Sequence, residues 1–240
     1  MTKPPLPRAG ILPDMHDATD APDIQLVIFD LGRVLLRIAE DWDHAAQLAG
    51  LPDLAGLTGD LSTKSARGSD NPLAELFDQF ETGRVNVVEF FASAAKLAKV
   101  RAGEVQKVMD AVLIETFPGA VSLLDRLAML PIKTACLSNT NARHWLLIND
   151  REHPAYLPVE LFDYPLVSQI VGHAKPSPAI YQYVEDGTAL APESILFFDD
   201  LPENIDAAKQ RGWHAELVGR DTDNPISAVT ATLAAYGVLS

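Results

Sequence analysis

Short apolar runs separated by stretches of helical periodicity organise this chain. Residues 26–29, 134–137, 166–170, 195–198 and, more weakly, 215–218 read as buried strands. Between the later runs, Val121, Leu124, Leu127 and Ala128 recur at helical spacing, as do Ile180, Tyr183 and Val184, and then Ile205, Ala208 and Lys209. Strands alternating with helices predict parallel pairing through right-handed crossovers. The expected fold is therefore α/β, a Rossmann-like parallel sheet flanked by helices.

Residues 39–117 break the alternation. They read as helices throughout, over 42–49, 73–80, 87–98 and 104–115, with a polar, glycine-bearing loop at 60–71. Helices inserted directly after the first strand suggest a small domain lying over the strand ends, where open α/β sheets bind ligands. The expected division is a flexible N-terminal tail (1–22), an α/β core (23–39 and 118–240) and an inserted helical cap domain (40–117).

Composition narrows the function. A net charge of −14 over 240 residues argues against nucleic acid and anionic membrane as partners, because both reward clustered Lys and Arg. An anionic small substrate stays compatible, since one metal ion and one lysine reverse a local field. Cys136 is the single cysteine, so no intrachain disulfide forms, and its apolar neighbours mark it as a core residue. No run is long and apolar enough to span a bilayer, and the proline-rich start lacks a secretory signal's apolar segment. The expected location is the cytoplasm. Monomer and homodimer are equally compatible with the sequence.

Four segments carry candidate chemistry. Asp30 closes the first strand, Ser138-Asn139-Thr140-Asn141 follows the second, Lys175 precedes Pro176, and Asp199-Asp200 follows Phe197-Phe198. Singly, each has an ordinary explanation: a turn or helix cap for Asp30 and the Ser138 segment, a solvated loop for Lys175, a cap plus a surface charge for the acidic pair. Together they supply a carboxylate, a hydroxyl, a cation and an acidic pair, at strand ends that a parallel sheet brings to one edge. Asp30, Asp199 and Asp200 would repel one another unless a hard cation, expected to be magnesium, joined them.

This set resembles the haloacid dehalogenase-like superfamily of hydrolases, over residues 30 to about 218, with the insert in the place of that superfamily's cap. Glu81-Thr82-Gly83-Arg84, the Asp30-Leu31-Gly32-Arg33-Val34 opening and Phe197-Phe198-Asp199-Asp200 are most similar to a branch of small bacterial sugar-phosphate phosphatases that includes α-D-glucose-1-phosphate phosphatase. The resemblance implies a Mg²⁺-dependent phosphatase acting on a small phosphorylated metabolite. Asp30 would be the nucleophile, with Ser138, the amide of Asn139, Lys175 and Arg33 on the phosphoryl group or its charge. Asp30, the carbonyl of Gly32, Asp199 and Asp200 would hold the metal, Asp199 directly or through water. Asn204 would orient the acidic loop.

Gly32 departs from the family pattern. Most phosphatases of the superfamily carry a second Asp there, which protonates the leaving oxygen and later activates water. Arg33 and His173 are the nearest substitutes, though an arginine gives up no proton. Two other readings stand beside the phosphatase: a phosphate-binding module without turnover, and a metal-free 2-haloacid dehalogenase, against which the acidic pair argues. Specificity is expected from helices around Trp42, Phe77, Arg84 and Phe91.

Overall fold

The computed structural model describes residues 22–54, 71–219 and 223–239, so all but the last residue of the expected tail (1–22) and most of the expected loop at 60–71 lie outside the described residues. Five parallel strands form the central sheet: β1 (Leu26–Phe29), β4 (Lys133–Ser138), β5 (Tyr164–Val167), β6 (Ile195–Asp199) and β7 (His214–Leu217), in spatial order β5-β4-β1-β6-β7. Alternation along each strand splits the apolar residues between two cores. Val27, Phe29, Cys136, Leu196 and Phe198 pack with α5 (Ala120–Ala128), α6 (Ala142–Ile148) and α10 (Ile226–Ala235). Leu26, Ile28, Ala135, Leu137 and Phe197 pack with α8 (Pro178–Thr188) and α9 (Pro202–Gln210). A sheet buried on both faces explains why the strands read as continuous apolar runs.

The insert holds α1 (Trp42–Leu48), α2 (Pro72–Glu81), α3 (Val87–Ala98) and α4 (Ala102–Asp110). Its centre is aromatic: Phe80 stacks on Phe90 at 4.1 Å between centroids, and Phe77 meets Trp42 edge-on at 5.4 Å. The expectation of helices throughout needs correction at its carboxyl end. Residues Leu36–Ile38 (β2) and Leu113–Thr116 (β3) form an antiparallel ribbon at the insert's base. Helix α4 accordingly stops at Asp110, and its expected last turn is strand.

Two contacts fasten the insert to the core. Arg143 on α6 makes a bidentate pair with Asp110, both bonds 2.7 Å, and His144 Nε2 donates to Met109 O at 2.8 Å. Burial lowers the His144 pKa, which keeps the ring neutral and the donor in place. On the other side, the buried Ser168 hydroxyl donates to the Glu81 carbonyl at 2.6 Å and accepts from Thr140 N at 3.0 Å. Gly83 has φ +70, and a Cβ there would stand 2.1 Å from Gln169 O, so only glycine permits this approach of insert to core. The expected strand over 166–170 is corrected here too: β5 ends at Val167, and Ser168–Val171 is one helical turn, α7.

Candidate active site

Strands β4, β1 and β6 lie side by side and parallel, so their carboxyl ends deliver Ser138, Asp30 and Asp199-Asp200 to one edge. Asp30 is fixed by its own backbone, donating N–H to Phe198 O at 2.8 Å. Lys175 arrives from the loop before α8. The side chain of Asn139 holds that loop at two points: its Oδ1 accepts from Lys175 N at 2.8 Å and its Nδ2 donates to Lys175 O at 2.9 Å. Asn139 was expected to offer its backbone amide to a ligand; its side chain has this separate task of placing the lysine.

All four charged groups are buried, at 8% exposure for Asp30, 2% for Lys175, 0% for Asp199 and 5% for Asp200. Lys175 Nζ lies 3.0 Å from Asp30 Oδ1 and 2.6 Å from Asp199 Oδ2. Burial works to depress the lysine's pKa, but Asp199 and Asp30 outweigh it, and the ammonium is held firmly protonated. Asp30 moves the opposite way. Desolvation, opposed by Lys175 and reinforced by Asp199 and Asp200, pushes its pKa up to about 7.

The carboxylates differ in what already occupies them. Asp199 Oδ1 accepts from Leu201 N at 2.8 Å and Asn204 Nδ2 at 2.9 Å, and its Oδ2 accepts from Lys175 and from Asn204 at 3.0 Å. Asn204 therefore orients the acidic loop. Asp30 Oδ1 accepts from Leu31 N at 2.7 Å and lies 3.0 Å from Lys175 Nζ. Asp200 Oδ2 lies 3.7 Å from Arg33 Nη1. One oxygen from each of Asp30, Asp199 and Asp200 falls within 4.8 Å of the others. Three buried carboxylates, two of them paired with one ammonium, are a donor set suited to a hard divalent cation.

A cleft of about 340 Å³ opens beside this cluster, between the sheet edge and the insert. Gly32, Arg33, Ser138, Asn139 and Thr140 line it from the core, and Trp42, Phe77 and Glu81 from the insert. Of the expected specificity residues, Trp42 and Phe77 face the cleft. Phe91 is instead buried in the insert's aromatic core, and Arg84 pairs with Asp78 and Thr82. His173 is exposed and is not among the lining residues, so it is poorly placed as a substitute acid. Cys136 is buried beneath the sheet edge, where desolvation pushes its thiol up to about 12.

The sequence reading gave no site role to Ser168, His144 or Ile38, and quoted Glu81 only as part of a motif. Ser168 left one signal, a hydroxyl ending the apolar pair Leu166-Val167. Glu81 reaches the site through the docking of the insert, whereas His144 stands on core helix α6 and Ile38 ends β2.

Known proteins resemble the chain over most of its length. A phosphatase of Mycobacterium tuberculosis is 26% identical over 208 residues, covering 82% of this chain and 88% of that protein. A HAD-like family hydrolase from Porphyromonas gingivalis superimposes with TM-score 0.71 at 25% identity, over 88% of this chain and 98% of that one. A HAD family enzyme from Bacteroides thetaiotaomicron, solved with magnesium and inorganic phosphate, has TM-score 0.67 at 20% identity, over 83% and 96% of the two chains. The family model for haloacid dehalogenase-like hydrolases matches residues 24–212, a span that contains Asp30, Ser138, Lys175 and Asp199-Asp200, and the chain belongs to that family of hydrolases.

Proposed function

We propose that the chain is a magnesium-dependent phosphatase of small phosphate monoesters that works through an aspartyl-phosphate. The observation that carries this reading is the buried Lys175 ammonium bridging Asp30 and Asp199 inside a three-carboxylate cluster beside the cleft. Its likeness to the mycobacterial phosphatase and to the magnesium- and phosphate-bound Bacteroides enzyme supports the choice of reaction and cation.

Asp30, Asp200 and the Gly32 carbonyl would hold the cation directly. Asp199, whose two oxygens already serve protein donors, would act through water or through Lys175. The cation supplies charge neutralisation for the phosphoryl oxygens and lets the carboxylates stand together. The Asp30 carboxylate attacks phosphorus. The new O–P bond forms as the ester O–P bond breaks, and the leaving oxygen departs with the bonding pair. Ser138 and Lys175 stabilise the equatorial oxygens as charge spreads over them. Water then attacks the same phosphorus, returning the Asp30 carboxylate and releasing inorganic phosphate. With no acid at position 32, the site favours leaving groups that depart unprotonated, and an anomeric sugar phosphate is better suited than an ordinary alkyl phosphate.

The test is phosphate release from a panel of sugar phosphates, nucleotides and acyl phosphates, with and without magnesium. Magnesium-dependent release from sugar or acyl phosphates is expected. Release of chloride from 2-chloropropionate without metal would replace this reading by a dehalogenase, and binding of a sugar phosphate without release would identify a non-catalytic module.

The charge cluster also predicts a pH effect. The Asp30 carboxyl titrates near 3.8 in an unfolded chain and about 7 in the folded, cation-free protein. Between those values the folded state keeps a proton that the unfolded state gives up, so this group's contribution to stability falls as pH rises and levels off above about 7. His144, with a lowered pKa, acts in the opposite direction over part of this range. The Asp30 effect is therefore read as the difference between wild type and Asp30→Asn in chelator. Wild type is expected to lose ground to the variant between pH 5 and pH 8, and to recover it at pH 8 when magnesium is added. Calorimetric melting curves that stay parallel across that range would refute the raised pKa.

A further inference from the structure

Arg33 has a left-handed backbone, φ +59, two residues past the Asp30–Leu31 pair that begins the site. An L side chain meets a steric cost in that region which glycine avoids. Here the position nonetheless carries a long cationic side chain. The turn that imposes the conformation is tight: Leu31 O accepts from Leu35 N at 2.9 Å and from Leu36 N at 2.8 Å, and Arg33 N donates to Leu36 O at 2.7 Å.

What the conformation gains is direction. The guanidinium turns along the cleft, where Nη2 donates to Ala39 O at 3.0 Å and Glu40 O at 2.8 Å, and Nη1 stands 3.7 Å from Asp200 Oδ2. Ala39 and Glu40 are the crossing between β2 and α1, by which the chain first enters the insert. Asp200 belongs to the carboxylate cluster. One rigid planar group therefore spans the insert's entry and the acidic loop, a reach that the single point charge of a lysine does not have.

We infer that Arg33 is a positioning residue coupling the seating of the insert's entry segment to cation occupancy of the acidic cluster. This rests on the cation-dependent reading given above. Arg33 was expected on the substrate's phosphoryl group; it lines the cleft, and its contacts also place it at the joint between cap and core. A coupling of this kind is reciprocal. Whatever changes the environment of Asp200 changes the grip on the 39–40 carbonyls, and loosening that segment changes the affinity of the cluster for its cation.

The test uses the full chain without substrate. Amide hydrogen exchange is followed in the 38–44 segment with and without magnesium, while calorimetry reports magnesium binding directly. In wild type, magnesium is expected to change exchange in this segment by about fivefold or more. In Arg33→Gly, which suits the left-handed backbone but lacks the fork, the cation should still bind and the response should disappear. Arg33→Lys, which keeps the charge, should fail to restore it. If magnesium binds and both variants respond as wild type does, the coupling is wrong and the phosphatase reading stands. If magnesium does not bind wild type at all, that reading falls and takes the coupling with it.

Discussion

Replacing Asp30 by Asn is expected to lower phosphatase turnover by about 10⁴-fold or more while leaving the fold intact and, in chelator at pH 8, more stable than wild type. The two halves have separate causes. An amide oxygen is too weak a nucleophile to open a phosphate ester, so the O–P bond at position 30 no longer forms. The stability half follows from the surroundings of the carboxylate. Desolvation and the charges of Asp199 and Asp200 oppose its ionisation more than Lys175 favours it, which is why its pKa stands near 7. A neutral side chain of the same shape removes that opposition, and Lys175 keeps its 2.6 Å contact with Asp199. The gain should be on the order of 1 kcal/mol or more, about 2–4 °C in Tm for a chain of this size. Magnesium should raise the melting temperature of wild type and raise that of the variant less. An inactive variant that is also unfolded would say nothing of nucleophilicity, so the pairing of lost turnover with a maintained or higher Tm is the decisive result. Retained turnover would remove Asp30 from its role.

The parts of this site that stood in the sequence are those governed by strand geometry. Asp30, Ser138 and Asp199 each end an apolar run, and parallel neighbours bring such ends together whatever the loops do. The sheet was legible for the same reason, because strands buried on both faces must be apolar along their length. Lys175 needed more than its motif. Its place depends on Asn139, thirty-six residues away in sequence, gripping both backbone groups of the lysine, and local pattern does not encode such a pairing. The β2–β3 ribbon was hidden because Leu36–Ile38 is only three residues long and Leu113–Thr116 continues the apolar spacing of the helix before it. Phe91 and Arg84 show the limit on the cap side. An amphipathic helix announces which residues share a face, but Phe91 turned to the insert's core and Arg84 to Asp78. Which face meets the cleft is settled by the docking at Ser168 and Arg143.

Gly32 is where sequence and structure together give the sharpest expectation. Its φ is not left-handed, so the backbone admits a side chain there. A Cβ would meet Ile38 Cδ1 at 3.0 Å, and the next atoms of Ile38 only at 3.9 and 4.0 Å. The obstacle to a Cβ at this position is thus one terminal methyl group. Ile38→Val deletes it at a cost of about 0.5–1.5 kcal/mol. Gly32→Asp combined with Ile38→Val is therefore expected to fold, and to raise steady-state hydrolysis of alkyl phosphates by up to about 10²–10⁴-fold, the usual worth of a positioned acid–base group. With p-nitrophenyl phosphate the effect should take another form. That leaving group needs no proton, so wild type should show a burst of nitrophenolate followed by slow turnover, limited by unassisted attack of water on the aspartyl-phosphate. In the double variant the burst should shrink as the second step catches up. Gly32→Asp alone should gain less, because Ile38 must shift to admit it, and Ile38→Val alone should gain nothing. Stopped-flow traces on the four proteins, with magnesium binding measured on each, separate these outcomes. A double variant that folds and binds magnesium, yet hydrolyses alkyl phosphates no faster than wild type, would mean that proton transfer does not limit this site and that the empty place beside the nucleophile has another cause.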